Sequence, residues 1–249
     1  MKTSDDLFVK KVLAYQSNAI NKKYTLTKFL NESEITILER IIKAPLKVSL
    51  FGGYEDAELK RAFIHDFEPD DVKESMFQIK ALKLKFNKKF LDLAHRSVLG
   101  TMMSLGIARE TLGDIVVNEE AFIFATSEIS EYLIQNLTMI NNVSVELVEV
   151  DIRNYKGLLK KNYEMSQIIL SSMRIDVLVA RVMALSREKA HDYIVYQNVK
   201  VNHKICENPS QICKINDIIS IRKLGRVKIF DVVGSTKKEK IVLSIGILR

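Results

Sequence analysis

Apolar residues recur along this chain with two periods, near 3.6 and near 2, and the switches between them mark its elements. Ile175, Leu178, Val182 and Leu185 are three and four apart, so they form one face of a helix. Ser186 follows as an N-cap for a second helix reaching about Tyr196. The period then becomes two. Val199 and Val201 alternate with Lys200 and Asn202, and Ile219 and Ile221 alternate with Ser220 and Arg222, which predicts strands.

Upstream, residues 5–20 read as a helix with Phe8, Val12 and Ala19 on its apolar side. Residues 32–43 read as another, carrying Ile35, Leu38, Ile41 and Ile42, with Asn31 or Ser33 as cap and Pro45 as stop. Residues 48–51 and 61–65 read as a hairpin with a long connection that begins at Gly52-Gly53. The polar Glu68-Pro69-Asp70-Asp71 stretch marks a boundary. Beyond it come a strand (77–86), a helix (90–105), two strands (114–118 and 121–125), a helix (128–140) capped by Ser127, and a strand (143–150). That order is βαββαβ, a ferredoxin-like unit. In its first strand the apolar alternation slips by one residue between Ala81 and Leu82, which predicts a bulge. The fold class is therefore α+β: an N-terminal helical and hairpin region (1–70), a ferredoxin-like, RRM-like middle domain (71–160) and a C-terminal domain (172–249).

Charge changes this picture most in the last third. Of the net +7, residues 174–249 hold 15 Lys+Arg against 7 Asp+Glu, a net +8, and the rest of the chain comes to −1. A basic module on a nearly neutral body predicts a polyanionic partner; a basic surface that merely aids solubility is the alternative. Arg174 and Arg181 lie two turns apart on one helix flank. Arg187 and Lys189 stand in the first turn of the next helix, against its dipole, where amides and cations converge on one anion. Arg187 is expected there as an exposed phosphate ligand whose removal leaves stability nearly unchanged.

Other chemistry is sparse. An apolar fraction of 47% supports real cores, yet no run of about 18 apolar residues predicts a membrane span. The opening residues, MKTSDDLFVKKVLAY, are too charged for a signal peptide. Two cysteines, Cys206 and Cys213, fit a reducing cytosol; with His203 they would offer zinc three ligands and no fourth. The glycine-rich phosphate loops are missing. In the middle unit Phe122 and Phe124 share a strand face, and Lys80, Lys83, Lys85, Lys88 and Lys89 cluster nearby. They read either as an RNA-stacking face or as core aromatics with a solvated lysine edge. Residues 71–150 total −3, and the K/R-G-F-G/A-F signature is absent. His95 reads as a general base or a packed histidine, with no nucleophile to serve.

In order, Arg174-x-Asp176-x-x-x-Ala180, Ser186-Arg187-x-x-Ala190, Val199-x-Val201-Asn202, Pro209 and Asp217-Ile-Ile219-Ser220-Ile-Arg222 resemble an S4 domain, the αL-type RNA-binding module. Asn198 stands where such domains carry a glycine before the Val-x-Val-Asn strand and is expected to take the left-handed turn; His203 replaces the glycine after Asn202. Gly52-Gly53-Tyr54 with Glu58, His95-Arg96-Ser97 and Gly106 through Ile115 extend the resemblance to the YlmH family over nearly the whole chain, Ser97 replacing the family's usual Asp. The resemblance implies a non-catalytic, cofactor-free cytoplasmic protein, monomeric when free. It implies binding to structured RNA on the large ribosomal subunit, ribosomal and transfer RNA included, with links to ribosome quality control and cell division. An S4 module on an RNA-modifying enzyme, or a division scaffold, is the rival reading; the catalytic domains of such enzymes have no counterpart here. The expected contacts are Arg174, Arg181, Ser186, Arg187, Lys189, Lys200, Asn202, Lys204, Arg222 and Arg226, on one L-shaped surface that reads phosphates and duplex shape. Asn202 is either a contact or a turn residue.

Overall fold

A computed structural model describes residues 4–87, 94–159 and 163–248. The chain falls into two compact units, Met1–Lys160 and Lys161–Arg249. Among the described residues no helix is long and apolar enough to cross a membrane.

The first unit opens with α1 (Ser4–Lys22), β1 (Tyr24–Leu30), α2 (Glu32–Ile41), β2 (Lys47–Phe51) and β3 (Lys60–His65). Asn31 caps α2 through a full capping box with Glu34. The predicted hairpin of β2 and β3 gains a third strand, because β1 pairs with the other edge of β3. Sequence alternation hides β1, since one of its buried positions is Thr27. Its hydroxyl accepts the Ala62 amide at 2.9 Å, which makes burial of a polar group tolerable.

The middle segment runs β4 (Ile79–Phe86), α3 (His95–Ser104), β5 (Leu112–Val117), β6 (Ala121–Thr126), α4 (Ser127–Asn136), β7 (Met139–Ile140) and β8 (Val143–Glu149). The sheet order β5-β6-β4-β8-β7, antiparallel throughout, is that of a split βαββαβ unit with one short strand added. Three expectations need correction. Both pairings of β4 run in unbroken register, so there is no bulge; the phase slip arises because Ala81 and Leu82 face two different cores. Helix α4 stops at Asn136, and Met139-Ile140 instead forms a hairpin with β8 across Asn141-Asn142, both left-handed. Thr126, not Ser127, occupies the cap position of α4, without a side-chain capping bond. The start of the helix expected over 90–105, and Lys88 and Lys89, lie outside the described residues.

One face of this sheet packs on α3 and α4 through Leu82, Leu84, Ile123 and Leu133. The other is also covered: Phe122 and Phe124 are 0% exposed, beneath Phe29, Tyr54 and Leu159. The Gly52-Gly53-Tyr54 motif builds that cover. Tyr54 stacks on Phe124 at 4.9 Å and donates its hydroxyl to Asp114 at 2.7 Å. Asp114 also accepts the amides of Glu58 and Leu59, so a strand of the second sheet closes the long connection of the first.

The second unit contains β9 (Glu164–Leu170), α5 (Ile175–Val182), α6 (Arg187–Val195), β10 (Val199–Val201), β11 (Lys204–Ile205), β12 (Ile218–Ile221), β13 (Gly225–Ser235) and β14 (Ile241–Leu248). They form one sheet, ordered β11-β10-β12-β13-β14-β9. Strand β9 precedes residue 172 yet pairs along its whole length with β14. Ile175, Leu178, Ala190 and Ile194 of the helices bury one sheet face, against Val199, Ile219, Val227 and Ile245. Helix α5 ends before the predicted Leu185. Ala184 turns left-handed at φ 53°, and Leu185 donates back to the Ala180 carbonyl at 2.9 Å, a Schellman ending. An alanine there carries steric strain that glycine lacks. Ala184→Gly is therefore expected to raise stability by about 0.5–1 kcal/mol in urea unfolding; a drop would mean that the turn does not hold this strain.

Candidate nucleic-acid interface

Helix α5 starts at a buried carboxylate. Asp176, with its side chain 3% exposed, accepts Nε and Nη2 of Arg174 at 3.0 and 2.8 Å, and Nε of Arg187 at 3.1 Å. Burial pushes this carboxyl up, but the two guanidinium groups outweigh it and hold it below the usual aspartate range. Arg174, before α5, and Arg187, opening α6, thus meet on one acceptor. The Arg187 side chain stays 60% exposed, and among the described residues its terminal nitrogens bond to nothing, so they can fork onto a phosphate. This corrects the view of Arg187 as a cation without a structural role. Asp176 is the residue that sequence reasoning left out of the site. The Arg-x-Asp spacing hinted at half of the pair; Arg187, eleven positions on, could not be read.

Ser186 caps α6 as expected, its hydroxyl accepting the Lys189 amide at 3.2 Å. Lys189 and Arg181 are exposed on the helices. The N-terminus of α5 is closed by a loop: Ile175 and Asp176 donate their amides to the carbonyls of Gln211 and Pro209. Cys206 and Cys213 pin that loop into the core as buried thiols, and burial pushes the Cys213 thiol up to about 12. Among the described residues no cluster of three or more His, Cys, Asp or Glu is arranged to hold a metal ion.

The other predicted contacts separate. Asn202 and His203 form the turn between β10 and β11, at φ 48° and 68°, so histidine adopts the conformation that glycine usually supplies. Asn202 is used internally: it accepts the Ile218 amide and donates to Asp217, both at 2.9 Å. Lys204 follows the turn, exposed. The left-handed residue ending α6 is Gln197, at φ 57°, rather than Asn198. Asn198 instead holds Arg222, accepting its amide at 2.9 Å and its guanidinium at 3.4 Å. Lys200 and Arg226 lie in register with Ser220 between them. Their neighbours Val199, Val201 and Val227 point to the helices, so Lys200 and Arg226 project from the opposite sheet face. Lys200 and Arg226 therefore stand on a different surface from the cations of α5 and α6.

In the middle segment the described lysines of the cluster are balanced across strands: Lys80 pairs with Glu149, Lys83 with Glu120 and Lys85 with Glu146. With Phe122 and Phe124 buried, the core reading of those aromatics holds.

Comparison with known proteins agrees with this layout. Residues 72–154 match the family model described as "Putative RNA-binding domain in YlmH", and residues 173–219 match the S4 domain. The chain is 33% identical over 217 residues to the ribosome-associated protein quality control protein P2 of Bacillus subtilis (strain 168), covering 86% of this chain and 84% of that one. The solved structure of the cell division protein ylmH from Streptococcus pneumoniae superposes with a TM-score of 0.53 at 27% identity, over 62% of this chain and 95% of that one. A C-terminal S4 domain, a matching middle segment and a relative of this similarity along most of the length place the chain in the YlmH family.

Proposed function

We propose that this protein binds structured RNA on the large ribosomal subunit, ribosomal RNA with transfer RNA at its margin, and performs no chemistry there. The observation that carries the reading is the pair Arg174 and Arg187, held by one buried carboxylate beside the capped start of α6. Two fixed guanidinium groups suit adjacent phosphates, because their geometry is set before the RNA arrives. Arg181 and Lys189 extend the surface. The name of the Bacillus subtilis relative supports a place in ribosome-associated quality control. In this reading residues 172–249 act as the RNA-binding domain, in the cytoplasm, from a chain that is monomeric when free and needs no cofactor.

The test is cosedimentation with separated ribosomal subunits. The chain is expected in the large-subunit fraction at low salt. With about five phosphate contacts, a fourfold rise in salt weakens binding by roughly two to three orders of magnitude and strips it off. Absence from that fraction at low salt, or a pull-down that yields proteins without ribosomal RNA, would overturn the reading in favour of a protein scaffold.

A further inference from the structure

The sheet face opposite α5 and α6 carries a second set of groups, most of it outside the S4 match. Lys200, Ser220 and Arg226 form one cross-strand row, and Ile218, Lys228 and Gly246 form the next. Phe230 lies two residues beyond Lys228. Its ring stands edge-to-face with Tyr163 at 5.3 Å, and the Lys228 ammonium sits 5.2 Å from its centroid. Gly246 makes room for this group: a Cβ there would lie 2.7 Å from both the Phe230 ring and Tyr163. The face thus combines an aromatic pair over a glycine floor with three cations spread along the strands. Asp231, at the bulge beside Phe230, adds a carboxylate to this part of the face, and it accepts the Val232 amide.

Aromatic rings amid lysine and arginine on an open antiparallel sheet match the needs of an unpaired strand. Bases stack on the rings while cations follow the phosphates. The middle segment has the fold in which such a platform is usual, but its Phe122 and Phe124 are sealed into the core. We infer that the outer face of β10, β12, β13 and β14 binds a single-stranded RNA segment, with a base stacked on Phe230 and its phosphates on Lys228, Arg226 and Lys200. This rests on the RNA-binding reading above and adds a second contact surface to it. A duplex held at α5 and α6 and an unpaired segment held at the sheet would be gripped on opposite faces of one layer.

The chain has no tryptophan, so Phe230→Trp places its single tryptophan in the site, excitable separately from the tyrosines. In the full-length variant, a short oligouridine is expected to quench it saturably, with the quench reversed by salt. Phe230→Leu keeps an apolar cover over Gly246 but removes the ring, and should weaken oligouridine binding about tenfold. Lys228→Gln should weaken it a few-fold with a shallower salt slope. Affinity for an RNA hairpin should move less than about twofold in both, and thermal midpoints should confirm folding. Oligouridine that neither quenches the tryptophan nor distinguishes Phe230→Leu from the parent, while the hairpin still binds, would overturn the sheet site alone. A parent chain that binds oligouridine at Phe230 but never the hairpin would support the sheet site and sink the helix-face reading.

Discussion

Replacing Arg174 and Arg187 together by alanine is expected to destabilise the protein by about 1–3 kcal/mol near neutral pH, because both guanidinium partners lie at the surface and water can reach the carboxylate once they are gone. The loss belongs to Asp176, whose buried carboxylate would keep only the Val177 amide, at 2.9 Å. The pH dependence identifies the cause. In the parent the Asp176 pKa is lowered, so its contribution is present above the unfolded value near 4 and is lost only in stronger acid. In the double variant burial acts alone and raises that pKa. The folded state then binds a proton before the unfolded chain does, so acidification from pH 7 restores stability relative to the parent, in which Asp176 gives no such gain. Two phosphate contacts vanish as well, so the salt slope of RNA binding should shallow by about two. Urea unfolding at neutral and mildly acidic pH, with binding measured at several salt concentrations, checks each part. A double variant as stable as the parent at neutral pH would show that Asp176 does not depend on these arginines. Asp176→Asn separates the roles further. It should keep both cations yet release their alignment, lowering affinity with little change in salt slope.

Gly53→Ala is expected to produce a loss at least as large in the first unit. The residue sits at φ +99°, and an added Cβ would stand 2.4 Å from Cδ1 of the buried Phe124. Backbone strain of about 1–3 kcal/mol and overpacking of about 1–3 kcal/mol combine there. Gly100 supplies the contrast: within α3, with no atom closer than 4 Å to its added Cβ, it should become slightly more stable as alanine. Melting curves of the two variants decide the matter. If Gly53→Ala melts with or above Gly100→Ala, the proposed packing of Tyr54 and Phe124 around that glycine is wrong.

The elements that could be read from the sequence are those whose signal is local. The caps at Ser186 and Asn31 and the alternation in β10 and β12 depend on neighbours a few positions away. The missed strands and the false bulge involve partners distant in the chain, whereas the shifted cap at Thr126 and the left-handed turns at Ala184 and Gln197 are local displacements of one or two positions. Strand β1 escaped because Thr27 takes a buried position, satisfied by Ala62. Strand β9 buries only Ile168 and Leu170, and its alternation is thin because it forms a sheet edge. The false bulge in β4 came from reading a strand with two covered faces as if it had one. The site followed the same rule. Its cations were visible one by one, but the pairing of Arg187 with Asp176, and the exile of Lys200 and Arg226 to the other sheet face, depend on tertiary structure.

The pairing of β9 with β14 sets the order in which this protein can mature. Its paired residues lie between 71 positions apart, at Leu170 and Ile241, and 83 apart, at Glu164 and Ile247. Closing so long a loop carries a large entropic cost before any ladder bond forms. During synthesis β9 leaves the ribosome first and waits with its apolar positions uncovered, while both helices and four further strands are made. The arginine pair can be aligned early, because Arg174, Asp176 and Arg187 lie close together in the chain. The sheet beneath them closes only once β14 has emerged, so a nascent chain interrupted before that point would carry the RNA-facing arginines on an unfinished layer.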